Sequence, residues 1–413
     1  MTNSKTKSMH EASTAGQRYL VFGLCFAGGL LGGLNSTLVS SYLPEILRDL
    51  ALPGQEEKTG AAINAAFIYG MLLGGLVLGY LGDRLGRKFG LQASMLCIGL
   101  FTLATVGVTT AFQLVICRLF CGFGVGGILL SSAVYISEIW PAKRKSVALG
   151  ILSICFPVGI FSAGLITYSE HNWRMAFWEG LIPLGLLAAN HFFIEESAVW
   201  LGRRPAESEE KQHGSSGPDF WRNVTIGSLI YGAMLIGLWA IFSWLPTWIQ
   251  TIVSGSDGQQ ERGVSMMIFA AGGLAGGLVS GWICRIVGLK TVLLWCFGGC
   301  FVASLYLFKF THSLSWLTYT GIGVIAVFFG ASQGVLNVYI PELFPTEVRS
   351  VATGICFNIS RLFTATAVFF IGWLVETLHG FGNALFVFSF VFLAGFLITL
   401  LSTNHTRYGI HKS

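Results

Sequence analysis

Residues 79–90 read GYLGDRLGRKFG between two apolar stretches, and residues 281–290 read GWICRIVGLK in the same setting. Gly79, Gly86 and Lys88 correspond to Gly281, Gly288 and Lys290, an offset of 202. A second pair of tracts, SEIWPAKRK at 137–145 and PELFPTEVR at 341–349, aligns Glu138, Pro141 and Lys145 with Glu342, Pro345 and Arg349 at an offset of 204. Two unrelated tracts recurring at nearly one offset mark the duplication of a long unit. In a membrane-embedded chain such a repeat is the plan of two halves that rock about a central site.

The composition places the unit in a bilayer. Hydrophobic residues make up 53% of the chain and charged residues 11%, whereas soluble domains carry about 25% charge. A helix needs about 20 apolar residues to cross the hydrocarbon core. Twelve stretches qualify: 19–47, 62–82, 90–110, 113–139, 147–168, 173–194, 222–249, 264–284, 290–308, 316–342, 347–375 and 382–402. The expected fold is therefore all-α and integral to the membrane, with 12 transmembrane helices in two pseudo-symmetric six-helix halves, 1–195 and 222–413. The stretch 196–221 between them mixes charge with Gly, Ser and Pro and reads as a cytoplasmic linker. Residues 1–18 are polar and lead directly into a long span, so no cleavable signal peptide is expected.

The basic residues sort by side. Of 25 Lys and Arg, 18 fall in segments on the N-terminal side of the membrane, among them Arg84, Arg87, Lys88, Lys143, Arg144, Lys145, Arg203, Arg204, Arg349 and Arg407. Five lie toward the other face (Arg48, Lys58, Arg174, Arg262 and Lys309), and Arg118 and Arg361 fall within spans. The positive-inside rule then predicts both termini in the cytoplasm, and the short loops suggest a bacterial inner membrane. Sidedness also accounts for the net charge of +5, so no nucleic-acid partner is expected. All nine cysteines sit in apolar segments with no metal-ligand spacing, and neither metal nor cofactor is expected. A membrane-embedded enzyme would need titratable groups clustered at one depth, and the spans offer none.

The tract GYLGDRLGRK resembles the loop signature between the second and third helices of the major facilitator superfamily. The twelve spans, the two halves and the central linker match the same family over nearly the whole chain. The resemblance implies a gating role for Asp83, a carboxylate that latches the outward-open state against a helix terminus across the half-to-half boundary, with Arg84, Arg87 and Lys88 around it. The second copy has Arg285 where the first has Asp83, which implies an asymmetric latch. RLFCGFGVGG, from Arg118 to Gly127, is similar to the family's fourth-helix motif. The repeated SEIWPAKRK and PELFPTEVR tracts resemble the ends of helices four and ten in its sugar-porter and organic-acid branches. They imply that Glu138, Arg144, Lys145, Glu342 and Arg349 make ion pairs across the halves to close an inner gate. WLPTW at 244–248 and Arg361 resemble the organic-acid symporters, while the glutamines that sugar porters carry in helices five and seven are missing.

Arg361 is the leading substrate-binding candidate. It lies twelve residues beyond Arg349, about 18 Å along a helix and so near mid-bilayer. A charge there costs about 2.5 kcal/mol or more and must face water or a partner. Its counterpart in the first half is Pro157, so the shared scaffold does not require it. A guanidinium fits a carboxylate bidentately. Asn35, Ser36, Ser132, Tyr135, Tyr231, Trp239, Gln333, Asn337 and Asn358 are further candidates for the cavity lining, as are Ser40 and Ser131. The expected cargo is a small organic anion, or a neutral sugar or polyol if Arg361 is structural. The chain carries Asn35 where related symporters have a first-helix acid, and an amide does not titrate. The proton-coupling candidates are therefore Glu179, Glu45 and Arg118, with facilitated diffusion or exchange as the alternatives. A single copy is expected to function alone.

Overall fold

The structure, a computed structural model, describes residues 15–141, 144–202, 218–253, 257–345 and 348–402. Lys143, Arg203, Arg204, Arg407 and both chain ends lie outside the described residues. Backbone groups in hydrocarbon must be satisfied within their own segment, so each apolar run becomes a helix. The first half contains α1 (Ala15–Ser41), α2 (Glu56–Leu85), α3 (Arg87–Val106) and α4 (Ala111–Ile139). Then come α5, in two pieces (Lys145–Ser153 and Cys155–Ser169), and α6, which begins at Trp173–Ala176 and continues through Leu181–Phe193. The second half contains α7 (Pro218–Ile252), α8 (Gln259–Val287), α9 (Leu289–Leu305), α10 (Trp316–Glu342), α11 (Arg349–Thr377) and α12 (Phe381–Leu401). Among the described residues eleven helices are long and apolar enough to cross a membrane. The twelfth, α6, is interrupted by a 3-10 turn at Phe177–Gly180. In α5 the missing N–H of Pro157 frees the carbonyl of Ser153, where the first piece ends.

The duplication is visible as geometry. Gly86 between α2 and α3 has φ 116°, and Gly288 between α8 and α9 has φ 86°, a region that side chains avoid. In both halves two helices cross at backbone distance: a Cβ on Gly74 would stand 1.8 Å from the Phe123 carbonyl of α4, and one on Gly276 would stand 1.9 Å from the Val327 carbonyl of α10. We call the end at which α1 begins and α12 finishes the inner end, following the charge asymmetry.

The halves pack α5 against α8 and α2 against α11. Toward the outer end a Cβ on Gly263 would stand 2.6 Å from the Gly164 carbonyl. Toward the inner end a cavity of about 460 Å³ opens between α1, α4 and α5, faced by Asn337 of α10. The molecule is therefore closed at its outer end and open at its inner end.

Candidate transport pathway

Arg361 sits on α11 at mid-depth, half-buried, with no hydrogen bond or ion pair among the described residues. It leans toward the first half: its Nη1 lies 3.8 Å from the point a Gly75 Cβ would occupy on α2. Tyr231 of α7 is close enough to feel its charge and stacks on Phe357 with ring centroids 4.3 Å apart. Nε2 of Gln333 is also buried with no hydrogen bond among the described residues. Ser132 and Asn337 line the inner cavity from opposite halves. Asn358 donates to the Gly354 carbonyl at 2.8 Å, so its amide is held along its own helix.

A second cluster lies within the first half. The Asn35 amide oxygen accepts from Thr102 Oγ1 at 2.7 Å and from Cys121 Sγ at 3.5 Å. Arg118 Nη1 donates to the Asn35 carbonyl at 2.9 Å, while its Nε is buried without a partner. Its guanidinium stands 4.0 Å over the Phe67 ring, and Phe67 packs against Trp239 of α7 at 6.4 Å. Glu179 adjoins Asn35 and Cys121, and both of its carboxyl oxygens are buried. A charged guanidinium of the first half thus reaches the second half through two aromatic rings.

The outer closure was not legible as a unit. Arg262 at the start of α8 is fully buried. It donates to the Ser41 carbonyl at 2.8 Å and the Asp257 carbonyl at 2.9 Å, and also bonds Gln250 and Glu45. Gln259 donates to the carbonyls of Thr167 at 2.7 Å and Glu170 at 2.5 Å, tying α8 to the end of α5. Glu45 lies on the short outer helix Leu43–Leu50. Burial raises its pKa, partly offset by Arg262. Nearby, Asp49 accepts from Trp173 Nε1 and Arg174 Nη1, each at 2.8 Å, and these bonds lower its pKa. In the sequence Glu45 stands out only as a proton-coupling candidate and Arg262 as one more outer charge. The one available signal was a basic residue standing against the positive-inside bias.

At the inner end the ion pairs among the described residues lie within a half, chiefly the first. Arg87, 4% exposed, binds Asp83 at 2.5 Å and Glu138 at 2.9 and 3.0 Å. Ser197 Oγ donates to Glu138 at 2.6 Å. Glu196 accepts the backbone N–H groups of Arg87 at 2.8 Å and Lys88 at 3.1 Å, so a carboxylate completes the N-terminus of α3. Trp200 Nε1 donates to the Asp83 carbonyl at 2.8 Å, and Tyr135 donates to the Glu195 carbonyl. The start of the expected linker is thus ordered beneath the first half. Two of the expected site residues are engaged at this end: Tyr135 is an inner tie, 2% exposed, and Glu138 is bound by Arg87 of its own half in this inner-open state.

The remaining candidates scatter. Asn35 and Ser36 are each 1% exposed and bonded inside the first half, so neither faces the open cavity. Lys88 Nζ donates to the His191 carbonyl at 2.8 Å, and Arg84 lies 4.6 Å over the Tyr80 ring. In the second half, Arg349 donates to the Phe344 carbonyl at 3.2 Å, and Glu342 has no ion pair among the described residues. Arg144 and Lys145 open α5, and Arg144 points away from the central cavity into a separate pocket.

The profile of the Major Facilitator Superfamily matches residues 25–365. The cis,cis-muconate transport protein of Acinetobacter baylyi is 26% identical over 370 residues, covering 86% of this chain and 87% of that protein. The 3-(3-hydroxy-phenyl)propionate transporter of Escherichia coli is 27% identical over 354 residues, covering 85% of each. Among solved structures, the inward-open xylose transporter XylE from E. coli superposes with a TM-score of 0.79 at 16% identity, covering 95% of this chain and 98% of that one.

Proposed function

This chain belongs to the major facilitator superfamily and moves a small solute across the membrane by alternating access; on that premise we propose that the solute is an organic anion held by Arg361. The observation that carries this reading is a mid-membrane guanidinium that faces the boundary between the halves and has no carboxylate partner among the described residues. Such a charge is costly unless something compensates it, and a substrate carboxylate does so bidentately. The relatives named for muconate and hydroxyphenylpropionate support the same class. Tyr231, Phe357 and Trp239 supply aromatic walls, and Gln333, Ser132 and Asn337 supply hydrogen bonds toward the inner cavity.

Coupling to protons runs through Glu179, which adjoins the Arg118–Asn35 cluster and connects through Phe67 to Trp239. The carrier works as a monomer in a bacterial inner membrane with both termini cytoplasmic; terminal reporter fusions that place either end outside overturn this orientation.

The test is a thermal-shift and uptake series on purified wild type, Arg361→Ala and Arg361→Lys, with aromatic and aliphatic carboxylates beside sugars and polyols. Carboxylates are expected to stabilise wild type and to lose at least tenfold in affinity with Arg361→Ala. Stabilisation by neutral polyols, equal in wild type and Arg361→Ala, favours the second reading, in which the unpartnered amide of Gln333 and the hydroxyl of Ser132 bind hydroxyl groups. Glu179→Gln is expected to abolish uptake driven by a proton gradient while sparing substrate exchange; unchanged driven uptake removes Glu179 from the mechanism.

A further inference from the structure

A pocket of about 470 Å³ at the inner end lies apart from the transport pathway. It is lined by Arg18, Tyr19 and Phe22 of α1, Trp140 and Pro141 after α4, and Arg144, Val147 and Ile151 at the start of α5. On α5, the residues that line the central cavity with Asn337 include Leu149, Ser153 and Phe156. At 100° per residue these fall on the opposite face from Arg144, Val147 and Ile151, so the pocket opens to the lipid side of the first half.

Its chemistry is split. Tyr19 is 65% exposed, Val147 63% and Ile151 47%, an apolar surface suited to acyl chains. At the inner rim stand two guanidiniums, and neither has a hydrogen-bond or ion-pair partner among the described residues; the Nε of Arg18 is buried and unpartnered. Trp140 packs edge-on against Tyr19 at 5.8 Å and tilted against Phe22 at 5.4 Å, which walls the pocket with rings at interfacial depth.

We propose that an anionic phospholipid of the inner leaflet docks here, its phosphate between Arg18 and Arg144 and its chains along Tyr19, Val147 and Ile151. A guanidinium pair matches phosphate oxygens geometrically, and the inner leaflet supplies anionic headgroups at this depth. The central cavity holds a water-borne solute; this pocket is reached through the bilayer.

The test uses the full chain in mixed micelles containing phosphatidylglycerol or phosphatidylcholine, read by melting temperature and by native mass spectrometry of retained lipid. Wild type is expected to retain phosphatidylglycerol several-fold over phosphatidylcholine. The double variant R18Q/R144Q should lose that preference, and R18K/R144K should keep part of it. Val147→Glu, which leaves both arginines and changes one exposed side chain, should also lose it. The proposal fails if wild type shows no preference, or if R18Q/R144Q or Val147→Glu retains it. It also fails if soluble glycerol phosphate stabilises wild type as well as the lipid does, because the pocket then binds a water-borne anion.

Discussion

At the inner end of the first half, Gly86 turns the chain with the Glu196 carboxylate so close that a Cβ would stand 2.1 Å from its Oε2; at the inner end of the second half, Gly288 makes a similar turn with nothing within 4 Å of that point. Around Gly86 stand Asp83 and Arg87, with Glu138 and Ser197 beyond them. The matching positions around Gly288 are Arg285 and Leu289, while Lys290 donates to the carbonyls of Leu400 and Ser402 at 3.2 and 2.6 Å much as its match Lys88 donates to that of His191. Duplication preserved what the backbone needs, a glycine at positive φ and helices crossing at glycine contacts. The other charges diverged: Arg285 and Leu289 stand where Asp83 and Arg87 form an ion network with Glu138 in the first half. One half thus carries a charged clasp closed upon itself, and the other offers a mid-membrane arginine to the boundary between them.

The largest effect is expected where the first half is most committed. Arg87→Ala removes the guanidinium that binds Glu138, whose side chain is 7% exposed, and should cost about 2–3 kcal/mol. Leu289→Ala, at the matching place, removes only a partly buried apolar side chain and should cost about 1 kcal/mol. Equal losses in melting experiments would dissolve the contrast.

At the outer end the halves hold each other instead. Arg262→Ala strands Glu45 and frees the Ser41 carbonyl, and should shift the molecule toward the outward-open state by about 2 kcal/mol. A Ser40→Cys reporter, buried in the closed form, would then label from outside at least tenfold faster. An unchanged rate would mean that Gln259 and the glycine crossing suffice to keep the outside shut.

The glycine turns sharpen the comparison next. Both alanine substitutions carry backbone strain of about 1–3 kcal/mol, but only Gly86→Ala also strikes Glu196. It should cost roughly 1 kcal/mol more than Gly288→Ala, and Glu196→Ala should recover part of that excess in the double variant. Additive effects would deny the contact.

The smallest effect belongs to Asp49. Its hydrogen bonds from Trp173 and Arg174 lower its pKa, so its contribution is complete above the ordinary carboxylate value near 3.9 and fades as pH falls through the depressed one. Its side chain is 46% exposed, and solvent screening limits the gain to about 0.5 kcal/mol. Asp49→Asn should lower the melting temperature slightly at pH 7, and the difference from wild type should shrink as pH falls below the ordinary carboxylate value.

Much of this was legible before any coordinates. Hydropathy and the repeated tracts located the spans because a helix in lipid satisfies its own backbone and needs no distant partner. Arg361 stood out because any charge at that depth demands an explanation. Glu196 and Arg262 were missed for the converse reason: each acts on residues more than one hundred or two hundred positions away, and local sequence carries no mark of such a partner. Glu138 was noticed, yet its partner could not be chosen among several nearby cations.

By itself the sequence determined the membrane setting, the twelve helices, the duplication and the arginine without a counterpart, since all of these follow from local apolarity and from comparing the chain with itself. Only the tertiary structure decided which charges meet, that the outer end is closed and the inner end open, and that Arg144 lines a pocket apart from the cavity that Ser132 and Asn337 share. Those are questions of helix rotation and of distance between segments remote in the chain. They are settled by packing across interfaces, where a rotation of a few tens of degrees moves a side chain from water to lipid.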